Sequence, residues 1–269
     1  SSPADTNYYA NNLSAGNYTI TITDANNCDT VFQITVFQPD SLYISYETFN
    51  PKCYNSPTGV IIVHPQGGTP DYNYLWYPVP DPNNDSLLDS LFAGNYTITI
   101  YDNNNCFTTE TITLSQPQLL NIDNIIKTDI TCYGENNGQA NVIVSGGTLP
   151  YTYSWSNNIT DSVITNLYPY VYYVTVYDNN NCIATDSIYI TQPPKLNVQI
   201  ANYSNLKCFN DSSGYIMVNA TGGVPPYKYS WNTGDTTVSI SNIKAGTYYV
   251  TVYDNNNCDT ILYFDINQP

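Results

Sequence analysis

Residues 138–155 read GQANVIVSGGTLPYTYSW. Ala140, Val142 and Val144 fall on alternate positions, the period-2 pattern of a strand with one buried face. Tyr151, Tyr153 and Trp155 resume the alternation after a break at Gly146-Gly147, a pair suited to a turn that needs positive φ. Working outward, Leu120 and Ile122 suggest a strand A before this B strand and C strand. Residues 163–167 form a short strand E, Tyr172, Val174 and Val176 line strand F, and Ile188 and Ile190 line strand G. Seven short strands in about 80 residues, separated by turn residues, predict an all-β, immunoglobulin-like (fibronectin III-like) sandwich. Trp155 stands where such sandwiches bury an aromatic.

The pattern recurs along the chain. Gln-Pro ends at Pro39, Pro117, Pro193 and Pro269, and Asp-x-Asn-Asn-Cys ends at Cys28, Cys106, Cys182 and Cys258, both at spacings of 78, 76 and 76 residues. Gly67-Gly68 and Gly222-Gly223 match Gly146-Gly147, and Trp76 and Trp231 match Trp155. The expected organisation is the C-terminal half of a repeat at 1–39 and complete sandwich repeats at 40–117, 118–193 and 194–269, arranged as an elongated rod. A Leu-x-Ala-Gly-x-Tyr segment precedes strand F at 13–18, recurs from Leu91 or Phe92 to Tyr96, and recurs with Ile first at 243–248; Tyr170 replaces its glycine ahead of Tyr172. Tyr18, Tyr96, Tyr172 and Tyr248 are therefore expected to form tyrosine corners, each hydroxyl tying strand F to the preceding loop.

Composition narrows the function. Only 10% of residues are charged, with 6 Lys and Arg against 22 Asp and Glu, a net charge of -16. Phosphate binding requires clustered cations, so neither nucleic acid nor a membrane surface is an expected partner. No apolar run approaches the roughly 18 residues of a membrane span, and residues 1–10 lack signal-peptide character. The expectation is a segment processed or cut from a longer protein.

Seven cysteines, two per complete repeat plus Cys28, indicate an oxidising compartment. A domain of about 76 residues buries only about 60 to 65% of its unfolded surface, so covalent staples would help it. Two pairings stay open. Bonds within repeats would be Cys53–Cys106, Cys132–Cys182 and Cys208–Cys258. In each repeat, however, one cysteine sits in the A–B corner and the other in the F–G turn, at opposite ends of a sandwich. A disulfide needs Cα atoms within about 7 Å, whereas a strand spans about 17 to 20 Å. With repeats stacked end to end, the favoured pairs are Cys53–Cys182 and Cys132–Cys258, with Cys28, Cys106 and Cys208 facing beyond the ends. Gln-Pro leads into the next strand with no Gly/Ser-rich hinge, so a stiff stalk is expected.

Little in the sequence points to catalysis. His64 is the only histidine and stands beside Pro65 near the end of a B strand, where a structural role is expected, and one histidine cannot build a His-rich zinc site. The chain is not expected to be an enzyme. Asp102, Asp178 and Asp254 are weak calcium candidates, one carboxylate per Asn-rich turn, and Asx-turn chemistry is the favoured reading; no other cofactor is expected. The abundant tyrosines suit core and cross-strand packing better than sugar stacking. Asp followed by Ser or Thr and an apolar residue recurs at Thr30, Ser41, Ser86, Ser90, Ser162, Ser187 and Thr260, with Thr236 a looser match. Strand starts are the expected place for these hydroxyls.

The succession Cys, Gly-x-(Ile/Ala)-x-Val, Gly-Gly-x-x-Pro-Tyr-x-Tyr-x-Trp, Ala-Gly-x-Tyr, Asp-x-Asn-x-Cys and Gln-Pro resembles the SprB-type repeat of Bacteroidota gliding and cell-surface adhesins. Departures are Asp71 where the other copies have Pro150 and Pro226, and Tyr170 in place of a glycine. The resemblance implies a very large extracellular surface protein, exported by the type IX secretion system and anchored at the outer membrane or secreted. It also implies that the seven hydroxyls above are O-glycosylation acceptors. The expected function is a stalk or filament segment whose partners are neighbouring repeats and lateral copies of itself. The alternative is a polysaccharide-binding accessory module of a secreted protein.

Overall fold

The computed structural model describes residues 9–79 and 84–269; of the N-terminal stretch read for signal-peptide character, residues 1–8 lie outside it. Among the described residues every helix or strand is a strand. The chain packs as two units, Ser1–Gln116 and Pro117–Pro269.

In the first unit, β1 (Gly16–Thr23) and β2 (Asp29–Val36) form an antiparallel hairpin, with Gly16 opposite Val36. A sandwich follows, built from β3 (Tyr43–Phe49), β4 (Gly59–Gln66), β5 (Asn73–Tyr77), β6 (Leu87–Leu91), β7 (Gly94–Tyr101) and β8 (Phe107–Leu114). Its sheets have the orders β3-β4-β6 and β5-β7-β8. The second unit repeats this plan twice. Its first sandwich contains β9 (Asn121–Thr128), β10 (Gly138–Ser145), β11 (Thr152–Trp155), β12 (Val163–Leu167), β13 (Val171–Tyr177) and β14 (Ile183–Tyr189), in sheets β12-β10-β9 and β11-β13-β14. Its second contains β15 (Asn197–Ser204), β16 (Gly214–Thr221), β17 (Lys228–Trp231), β18 (Ser239–Ile243), β19 (Gly246–Tyr253) and β20 (Asp259–Ile266), in sheets β15-β16-β18 and β17-β19-β20. Every sheet draws its strands from a single copy, in the A-B-E and C-F-G arrangement of an immunoglobulin-like domain.

Alternation dictates the core. Ala140 and Val142 on β10, Ile164 and Leu167 on β12, and Val174 and Val176 on β13 face inward around Trp155, with Ile190 closing the cluster just beyond β14. The same positions form the other two cores around Trp76 and Trp231. The expectation of seven strands is corrected to six per sandwich among the described residues. Residues 156–162 are too few to cross the sandwich as a D strand and instead form a turn, in which Trp155 N–H donates to Ile159 O at 3.0 Å and Asn158 adopts φ 64°. The indole of Trp155 donates to Asp161 O at 3.0 Å, so the core aromatic also fixes this crossover between sheets.

All four expected tyrosine corners form. Tyr18, Tyr96, Tyr172 and Tyr248 donate to the carbonyls of Ser14, Phe92, Tyr168 and Lys244, four residues back, at 2.7, 2.9, 3.2 and 2.9 Å. The asparagine-rich composition has a backbone cause. Among the described residues, every non-glycine residue with positive φ is Asn except Ser90, and Asn tolerates the left-handed region better than other side chains.

Candidate functional site

The F–G turn, which begins with Asp and ends with Cys, joins two kinds of contact. Asp254 is fully buried, and its carboxylate accepts three backbone N–H groups. Asn256 and Cys258 donate to Oδ1 at 2.8 and 2.9 Å, while Val224 of the B–C loop donates to Oδ2 at 2.9 Å. Asp102 receives Asn104, Cys106 and Thr69, and Asp178 receives Asn180, Cys182 and Thr148, in the same manner. The first two donors in each set make the Asx turn expected from sequence. The third ties the F–G turn to the B–C loop and was not visible there. The Thr69 amide is the main cause holding the Asp102 carboxyl below its ordinary value; burial opposes it, and the Cys106 and Asn104 amides add to the lowering. The calcium candidates are thus carboxylates engaged by amide hydrogens, and no cluster of three or more metal-ligating side chains occurs among the described residues.

This contact explains the glycine pair. Gly223 has φ 58°, and a Cβ there would lie 2.8 Å from Asp254 Oδ2; one on Gly222 would lie 2.0 Å from the Lys195 carbonyl oxygen. The following tyrosine completes the loop, since the Tyr227 hydroxyl donates to Gly222 O at 2.7 Å.

Cys258, four residues beyond Asp254, leaves its own sandwich and bonds to Cys132 in the A–B loop of the preceding one, with Cα atoms 5.6 Å apart and a sequence separation of 126. The Thr131 carbonyl accepts a hydrogen bond from Asn256 Nδ2 at 2.9 Å and lies 3.4 Å from Cys258 Sγ. The within-repeat alternative is corrected. Cys132–Cys182 and Cys208–Cys258 are excluded because Cys132 and Cys258 are bonded to each other, and Cys53–Cys106 is excluded because Cys106 is a free, exposed thiol. Strand length keeps the two cysteines of one sandwich at opposite ends. Cys28 and Cys208 are also free and exposed.

The A–B loop is held by a residue that served in the sequence only as a landmark. Gln192, of Gln-Pro, turns its side-chain oxygen back to the N–H of Gly134 at 2.9 Å, two residues past Cys132. Gln116 and Gln268 do the same for Asn55 at 2.7 Å and Asn210 at 3.2 Å, two residues past Cys53 and Cys208. Thr131 N–H donates to Asn137 Oδ1 at 3.0 Å, closing the loop from its other side.

The remaining candidates lie on surfaces. His64 projects from β4 with Nε2 3.4 Å from Glu47 Oε1, half exposed on the outer face. Thr30, Ser41, Ser90 and Ser187 are exposed, while Ser86, Ser162 and Thr260 are half-buried. Placement at strand starts is corrected for two of them, because Ser90 and Ser187 lie inside β6 and β14. Tyr249 and Tyr263 pair across β19 and β20 with ring centroids 5.6 Å apart and planes tilted by 44°, as cross-strand neighbours pack.

The family model described as SprB repeat matches residues 45–80, 124–160 and 200–236. The chain carries three SprB repeats. Each match runs from strand A to just beyond the strand C tryptophan, so the F–G turn and Gln-Pro of each SprB repeat lie outside it. No curated protein matches the chain in sequence. Among solved structures, it is similar to the three N-terminal domains of the Highly Immunogenic Outer Capsid protein of bacteriophage RB49, at 15% identity and a TM-score of 0.42, covering 85% of this chain and 100% of that one. It is also similar to surface layer protein SbsC, domains 1–6, at 11% identity and a TM-score of 0.31, covering 96% of this chain and 45% of that one.

Proposed function

We propose that this array of SprB repeats is a spacer segment of a large adhesin on a Bacteroidota cell surface, holding an adhesive region away from the membrane. The observation that supports this reading most directly is the Cys132–Cys258 bond, which joins consecutive sandwiches where an enzyme or a lone binding module would have no use for a junction. By the same register the reading extends the pairing to Cys53–Cys182, and it assigns Cys28, Cys106 and Cys208 to repeats beyond this chain. Export by the type IX system, a role in gliding or in a surface fibre, lateral association of copies and sugars on the seven Asp-Ser/Thr hydroxyls belong to the same reading. Inserting or deleting one SprB repeat in the native gene should change the length of the surface fibre seen by electron microscopy and leave the adhesive target unchanged. Loss of target binding at unchanged fibre length would reject the spacer role in favour of direct binding. Intact-mass measurement of protein from the native host should show added sugar mass, and an unmodified mass rejects the glycan assignment.

A further inference from the structure

Tension along a protein follows the shortest covalent route, and the Cys132–Cys258 bond creates one. We propose that this disulfide is a load-bearing bypass, which takes the interiors of two consecutive sandwiches out of the path of a pulling force. Its purpose in the cell rests on the spacer reading, whereas its mechanics do not.

Entering the second unit from its N-terminal side, force travels along β9 and reaches Cys132 in the A–B loop. It then crosses to Cys258 and leaves along β20, which begins at the next residue. All of β10 through β19 lies inside the closed covalent loop, including the tryptophans of both cores and the Gln192-Pro193 connection. The two strands that remain under load are edge strands, each paired with one neighbour in its sheet, β9 with β10 and β20 with β19. An edge strand can peel without opening the rest of the sandwich, and here the peel can go no further than the cysteine. Both attachment points are braced from inside their own sandwiches. The Cys258 N–H is held by Asp254 Oδ1, and the loop carrying Cys132 is held by Gln192. The placement of a buried carboxylate and a side-chain amide beside the two bonded cysteines is what an anchor under load requires.

Single-molecule pulling on the full 269-residue chain tests this, with peptide-tag handles inserted at residue 118 and placed after Pro269. Tags are used because Cys28, Cys106 and Cys208 would compete with thiol handles. The oxidised protein should lengthen by no more than roughly 90 Å before detachment, the reach of about 25 residues at about 3.6 Å each. Adding a phosphine reductant, or substituting Cys132→Ser, should release roughly 450 Å more, in two steps for two sandwiches. Cys258→Ser must reproduce Cys132→Ser, and reduction of the wild-type chain decides the matter if either variant fails to fold. Equal extension of the oxidised and reduced wild-type chains would overturn the proposal. That result would leave the spacer reading standing, because fibre length on the cell is measured independently of the pulling trace.

Discussion

Asp254 and Cys258 stand four residues apart in one turn, yet the first is bound wholly into its own sandwich and the second is bonded to the neighbouring one. Their tasks are coupled in one direction only. The Asp254 carboxylate holds the Cys258 N–H and so aims the thiol outward, while none of the hydrogen bonds to Asp254 depends on the disulfide. Internal stability and connection between modules are therefore assigned to opposite faces of a five-residue segment, and each can be perturbed separately.

The largest effect is expected at the outer face. Cys258→Ser opens a covalent loop with a separation of 126 residues, which by chain entropy removes about 4 to 5 kcal/mol from the joint unfolding of the two sandwiches. Denaturant titration should then resolve separate transitions, while near-ultraviolet circular dichroism from the buried tryptophans stays unchanged in native buffer. Altered tryptophan signals at zero denaturant would mean that the two faces are not separable. On the inner face, Asp254→Ala strands three backbone donors and should cost about 3 kcal/mol, confined to the sandwich containing Trp231. A loss below about 0.5 kcal/mol, typical of an uninvolved surface site, would contradict the inward role. Gly223→Ala forces a side chain into a left-handed backbone against the same carboxylate and should cost about 2 kcal/mol by thermal melting.

Gln192→Ala sharpens the comparison from the other side of the junction. Losing its bond to Gly134 should cost about 1 kcal/mol and make Cys132–Cys258 react several-fold faster with a thiol reductant. An unchanged reduction rate would show that Gln192 does not brace the loop. The smallest effect is expected in acid. Because the Asp102 carboxyl is held below its ordinary value of 3.8, its contribution is present above that value in the unfolded chain and is lost as pH falls through the folded value. Asp102→Asn should flatten the fall in melting temperature of the first sandwich below about pH 4, and an unchanged slope would count against the amide cage as the cause.

Strand phase was readable in the sequence because it depends on neighbours two residues apart: Ala140, Val142, Val174 and Val176 face the core as their alternation requires. The tyrosine corners were readable for the same reason, since donor and acceptor are separated by only four residues. What escaped was every hydrogen bond that spans two loops, although the disulfide between the A–B loop and the F–G turn was among the favoured pairings. The Asx half of the Asp254 carboxylate is local, but its bond to Val224 joins residues 30 apart that only the sandwich topology brings together. Gln192 and Gly134 are 58 apart, and nothing in the spacing of Gln-Pro reveals that its amide folds back. The seventh strand was an inference from immunoglobulin-like domains in general, and the short crossover after Trp155 leaves no chain to build it.

The backward reach of Gln192 also decides where one module stops. Although Gln-Pro looks like the first step toward the following domain, the glutamine belongs to the domain already completed, and only the proline departs from it. An isolated single domain cut before Gln192 would leave the Gly134 amide without its acceptor, whereas one ending just after Pro193 keeps the loop intact. Any shuffling or engineering of such arrays therefore has a natural seam, and it falls on the C-terminal side of that proline.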